Sequence, residues 1–227
     1  MTEILKGVQY VDDTRANSYV VEEEDGSLTV VDATMQADGK KILDYIVGRM
    51  NRKPGDVKTI VVTHCHVDHI RGLAALKAAT GARVAVHEAD SDFVSGKSKY
   101  PATGGAMGFA MRAMSPFFKT TPVEVDLRLK EGDVVGRLAV IHTPGHTPGS
   151  ISLYDGPDRL LFVGDTARFV KGKLEGPPPQ FTQSMEQAKA SIGRLSTYDF
   201  GVMLSGHGEP LRSADAPRMM DELAKRL

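Results

Sequence analysis

The chain has 227 residues, enough for one domain with its own core (residues 1–227) and too few for two large ones. A hydrophobic share of 41% means that it can bury that core without staples, and a net charge of −1 gives no footprint for nucleic acid or an anionic membrane. Its single cysteine, Cys65, excludes an internal disulfide. The start, MTEILKGVQYVDD, lacks a cationic and then apolar leader, and no apolar run nears the ~20 residues of a membrane helix, so the expectation is a soluble cytoplasmic protein.

Short β-like bursts come first: Lys6–Val11, Ser18–Glu22 and Leu28–Val31, separated by Asp, Asn and Gly. Asp38–Met50 then carries Ile42, Leu43, Ile46, Val47 and Met50 at helical spacing, and Pro54-Gly55 ends it. Lys58–Val62 reads as a buried strand. A helix is expected at about Ile70–Ala79, closed by Gly81, and a strand at Arg83–Val86. Strand patterns return at Val123–Leu129, Val134–His142, Ile151–Tyr154 and Leu160–Val163. Helices near Thr182–Ser196 and Ala214–Arg226 flank a strand at Phe200–Leu204. The order is strands, helices, strands, helices in two similar halves, which suggests sheets covered by helices.

The most informative segment is Thr63-His64-Cys65-His66-Val67-Asp68-His69. Three of the seven histidines fall within six residues of one another, beside an aspartate. At a strand end, His64 and His66 point to one side because side chains repeat every second residue, and a turn into the next helix can bring Asp68 and His69 to the same space. Imidazole and carboxylate together suit zinc and similar divalent ions. Three later residues sit in comparable loops after strands: His146 in HTPGHTPGS, Asp165 in LFVGDT and His207 in LSGHGEP.

H-x-H-x-D-H, then GH in TPGHTPG, then GD, then GH, in this order over residues 64–207, resembles the metallo-β-lactamase superfamily. The resemblance implies an α/β fold, a four-layer αββα sandwich of two mixed sheets flanked by helices. It implies two divalent metal ions, zinc foremost, with iron or manganese tolerated by the same ligands. One ion would be held by His64, His66 and His146, the other by Asp68, His69 and His207, with Asp165 bridging. The implied activity is hydrolysis of an ester, thioester or lactone of a small molecule by metal-activated water, with Asp68 as the catalytic residue that orients it. The same ligands also serve a mononuclear-iron persulfide dioxygenase and phosphodiester or nuclease chemistry.

The branches differ at positions that can be read here. Asp165 argues against β-lactamase activity, since the β-lactamases lack an aspartate there. The G-C-G-R stretch that glyoxalase II-type enzymes usually carry after GD is absent, and Arg168 stands where the lactonase branch places a tyrosine. These residues leave the substrate unassigned.

Outside the motif, alternation points Cys65 to the opposite face, as a small core residue. His87 and His142 read as packed histidines, with a hydrogen bond from His142 toward the site as the other reading. Arg168, Lys171 and Lys173 form a small basic cluster that is either a solvated loop or an anion contact. Residues 100–121 carry Met107, Met111 and Met114 at helical spacing with Phe109, Phe117 and Phe118. They read as a packing or homodimer element, with a substrate lid as the alternative.

Overall fold

The computed structural model describes residues 3–11, 15–35, 39–98 and 120–227. The first half builds a seven-stranded sheet whose neighbours follow chain order. Its strands are β1 (Glu3–Leu5), β2 (Val8–Val11), β3 (Ser18–Glu22), β4 (Leu28–Val31), β5 (Val57–Val62), β6 (Arg83–His87) and β7 (Leu127–Leu129). Strands β1 to β4 form an antiparallel meander, and β4 to β7 run parallel. Among the described residues the parallel connections carry α1 (Lys40–Asp44, continuing as a π-helical turn at Tyr45–Arg49), α2 (Val67–Ile70), α3 (Leu73–Thr80) and α4 (Glu88–Val94).

The second half adds β8 (Val134–Val135), β9 (Leu138–His142), β10 (Ile151–Asp155), β11 (Leu160–Gly164), a separate hairpin of β12 (Arg168–Val170) and β13 (Lys173–Glu175), then β14 (Val202–Ser205) and β15 (Leu211–Arg212). The second sheet has the order β15-β14-β11-β10-β9-β8, and only β11 and β14 are parallel. Helices α5 (Met185–Leu195) and α6 (Ala216–Arg226) cover it.

Strict alternation along the strands separates three apolar layers. Val20, Val30, Ile60, Val62, Val84 and Val86 face the first helices, together with Ile42, Leu73 and Leu76. Tyr19, Val21, Val31, Val61 and Ala85 face the other sheet and meet Val140, Leu153, Phe162 and Leu204. Ile141, Leu161, Val163 and Met203 pack on Ile192, Leu195, Met220 and Leu223 of α5 and α6. The result is the expected αββα sandwich of two mixed sheets.

Several elements differ from their sequence reading. The 38–50 helix is five α-residues followed by a π-turn. The helix expected at Ile70–Ala79 is two helices, and α2 already begins at Val67, so Asp68 and His69 lie inside its single turn rather than before it. The 134–142 strand is a hairpin whose two-residue turn holds Gly136 at φ +58, where a side chain would run into the Glu23 carboxylate. Only Leu127–Leu129 of the 123–129 segment is strand. Helix α4 and the β12–β13 hairpin had no periodic signal. Most of the 100–121 segment lies outside the described residues. Among the described residues no helix is long and apolar enough to cross a membrane.

Candidate metal centre

All seven motif residues converge at one edge of the sandwich, five on loops that follow strands and two on the helical turn α2. His64 and His66 follow β5, and Asp68 and His69 sit on α2. His146 lies between β9 and β10, Asp165 directly follows β11 and His207 follows β14. Three groups place one ligand atom from each member within 4.8 Å of the others: His64, His66 and His146; His64, His69 and Asp165; and Asp68, His69 and His207. Asp165 lies between the triads, 3.4 Å from His146 Nε2, 3.5 Å from His207 Nε2 and 3.6 Å from His69 Nε2.

The donor set fits divalent metal. The Nε2 atoms of His64, His69 and His146 and Asp165 Oδ1 are buried and have no hydrogen-bond partner, an arrangement that costs free energy unless a cation takes the lone pairs. Gly206 lines the same space, and a Cβ there would collide with Asp165 Oδ1 and the His69 ring. The three-histidine triad is sealed, whereas Asp68 and His207 keep about a third of their side-chain surface (31% and 33%), so the centre opens to solvent on their side.

Electrostatics divide the two triads. Burial holds the His64, His66 and His146 rings below the ordinary histidine range, His66 at about 3, so these rings are neutral at pH 7. His69 is opposite: burial opposes its charge, but Asp32 and Asp165 overcome burial and raise it to about 10. His207 is raised despite its burial, by Asp68 and Asp165. For Asp68, burial is outweighed by His207, His69 and His66, and its carboxyl lies well below the usual range. Asp165 is raised, chiefly by burial.

Around these residues stands a set of orienting groups that the sequence reading did not find. Asp32, at the end of β4 with φ +62, accepts His69 Nδ1–H at 2.8 Å, Thr63 N–H at 2.7 Å and the Thr63 hydroxyl at 2.7 Å. The Thr63 oxygen then accepts His64 Nδ1–H at 3.1 Å. Asp90, 1% exposed, accepts from Cys65 N–H, the Thr147 hydroxyl and Gly149 N–H, which ties the His64–His69 segment to the His146 loop. Thr182 touches His146 Nδ1 at 3.1 Å. Asn17 Nδ2 donates to Ser205 O and Gly208 O, and Tyr19 donates to Ser205 O, so β3 and the residue before it secure the His207 loop. A lone Asp, Thr or Asn carries no spacing signal; only the Asp32 position, closing the LTVV strand, had a readable context.

Of the remaining candidates, Cys65 is buried in the first apolar layer. His142 stacks on His87 with ring centroids 4.0 Å apart and meets Pro148 O through Nε2, so it packs the loop and does not contact the seven residues directly in any bond described. Arg168 pairs with Glu175 across the β12–β13 hairpin.

The sequence model of the family described as Metallo-beta-lactamase superfamily matches residues 11–207. The chain is 30% identical over 245 aligned residues to the Bacillus subtilis (strain 168) protein named "Probable metallo-hydrolase YflN", covering 99% of this chain and 92% of that one. It is 36% identical over 115 residues to the Bos taurus "Acyl-coenzyme A thioesterase MBLAC2", covering 46% of this chain and 39% of the relative. Among solved structures, BJP-1, a subclass B3 metallo-beta-lactamase of Bradyrhizobium japonicum, superposes with a TM-score of 0.72 at 25% identity, over 99% of this chain and 89% of that one. The match of the family model, the full-length relative and the two triads at the sheet edge agree: this chain belongs to the metallo-beta-lactamase superfamily, among its metal-dependent hydrolases.

Proposed function

We propose that this protein is an acyl hydrolase that cleaves an ester, thioester or lactone of a small molecule, thioesters foremost, on a two-ion centre. The observation that carries the reading is the pair of triads on either side of Asp165, one sealed and one open to solvent. His64, His66 and His146 would hold one ion, Asp68, His69 and His207 the other, and Asp165 reaches toward both. Bound there, divalent ions supply Lewis acidity for a carbonyl oxygen and lower the pKa of water toward about 7.

The chain's own residues supply the rest. Asp68, held ionised beside His207, has Oδ2 at 3.0 Å from His207 Nε2 on the open side, where it accepts a hydrogen from the attacking water and orients it. The buried His64, His66 and His146 wall excludes bulk water from behind. Among the described residues next to the triads, the thiol and hydroxyls are otherwise engaged. Burial and Asp90 hold the Cys65 thiol protonated, and the hydroxyls of Thr63, Thr143, Thr147 and Ser150 are engaged in hydrogen bonds. The choice of thioester leans on the MBLAC2 relative, which is named an acyl-coenzyme A thioesterase.

The test is turnover by zinc-loaded protein of an acyl-coenzyme A, a p-nitrophenyl ester and an N-acyl lactone. Thioester cleavage that disappears in His66→Ala and Asp165→Asn is the expected result. Full activity in His66→Ala, or no turnover of any acyl substrate by protein carrying two ions per chain, would overturn it.

A further inference from the structure

We propose that Thr182 is a positioning residue for the three-histidine triad: it fixes His146 in the tautomer with its proton on Nδ1 and turns a bare Nε2 toward His64 and His66. The Thr182 hydroxyl has one hydrogen, and Pro178 O, 2.9 Å away, can only accept it. With that hydrogen bond made, beside the Phe181 N–H that Pro178 O also accepts at 3.0 Å, the Thr182 oxygen offers lone pairs toward His146 Nδ1 at 3.1 Å, and the ring donates. A neutral imidazole carries a single N–H, so Nε2 is left unprotonated. That atom is buried without a hydrogen-bond partner and lies within 4.8 Å of the ligand atoms of His64 and His66.

The surrounding chain holds Thr182 to this task. It is 8% exposed and closes the 3-10 turn Pro179–Phe181, and its own N–H reaches Pro179 O at 3.3 Å. Gln183 N–H and Ser184 N–H then donate to Gly145 O at 3.0 and 2.9 Å, so the segment after the Pro177-Pro178-Pro179 run is joined to the His146 loop by backbone and side chain alike. Gly145 makes the fit possible: at φ +136, a Cβ there would collide with the backbone of Ala188 in α5. His64 and His69 receive their orienting oxygens from the first half of the chain, through Thr63 and Asp32, and His146 receives its own from the second. The consequence for metal affinity rests on the metal-centre reading above; the tautomer does not.

Two measurements test the proposal. Long-range proton–nitrogen NMR of the histidine rings in chelator-treated, metal-free protein at pH 7.5 reads the tautomer directly. In wild type and Thr182→Ser, His146 is expected to show a protonated Nδ1 and a pyridine-type Nε2. Thr182→Val, or Thr182→Ala where the valine variant does not fold, is expected to lose that single tautomer. Zinc titration against a chromophoric chelator should then show about 10- to 100-fold weaker binding in Thr182→Val, with Thr182→Ser near wild type. A wild-type His146 protonated on Nε2 overturns the proposal whatever the variants do. So does a Thr182→Val protein with unchanged ring signals and wild-type zinc affinity. A wild-type protein with the expected tautomer that binds no zinc would overturn the metal-centre reading while leaving the role of Thr182 in setting the ring intact.

Discussion

Asp32 Oδ2 and His69 Nδ1 lie 2.8 Å apart although 37 residues separate them in sequence, and the same carboxylate holds the Thr63 hydroxyl that reaches His64. One side chain at the end of β4 therefore orients a ligand in each triad. Asp32→Asn suits the positive φ of this position but removes the charge that favours His69 and one of the accepting oxygens. Metal affinity is expected to fall about 10- to 100-fold, read by competition titration. Asp32→Ala should in addition lose about 3 kcal/mol of stability, because three buried donors lose their acceptor. A wild-type affinity in Asp32→Asn would remove the orienting role.

Proton competition should separate the two triads. His64, His66 and His146 are neutral well below pH 7, so an ion binding there displaces no proton from them. His69, at about 10, must lose one at the second triad, and the upward shift of His207 acts in the same direction. Lowering the pH from 8 to 6 should weaken uptake of the second ion by about tenfold per unit for each proton displaced, while uptake of the first changes little. Calorimetric titration of metal-free protein at several pH values would show the split, and two ions lost in parallel would contradict it. In the metal-free protein the sign for His69 runs the other way. Its pairing with Asp32 contributes stability fully below pH 6.5, and that contribution is lost as pH rises through about 10.

Asp90 is a buried carboxylate that accepts from three donors on two ligand-bearing segments. Asp90→Ala should cost about 3 kcal/mol in urea or guanidinium unfolding, with Asp90→Asn recovering part. A loss under about 1 kcal/mol would show that the two segments hold their places without it.

Gly206 tests the centre by volume alone. Its backbone φ is not positive, so alanine is conformationally acceptable, but the added methyl occupies the space of Asp165 Oδ1 and the His69 ring. Gly206→Ala is expected to fold, by circular dichroism, and to purify with clearly less metal than wild type. Full metal content would mean that Asp165 and His69 can retreat without leaving the centre.

The sandwich was legible because its strands alternate cleanly. Val20, Val30 and Ile60 against Tyr19, Val31 and Val61 is a period of two that names both faces of a sheet. The seven converging residues were legible because three of the histidines and Asp68 are neighbours in sequence and the other three each follow an apolar strand. What escaped was set by tertiary contact. Asp32, Asp90 and Thr182 act on partners 25 to 59 residues away in the chain only once the loops have met, and a single polar residue in a loop resembles any turn former. Helix α4 (EADSDFV) has too few apolar residues for a stripe and starts from a histidine cap, with His87 Nδ1 accepting Ala89 N–H. The break between α2 and α3 at Arg71-Gly72 was visible as a glycine but not as a boundary.

Each triad draws on both halves of the sandwich: His64 and His66 with His146, and Asp68 and His69 with His207. An ion in either place is thus a rivet through the seam between the sheets, and Asp90 and Asn17 are stitches along the same seam. Loosening the seam anywhere along its length would empty the centre before it unfolded the chain, so damage far from the chemistry would first be felt as lost chemistry.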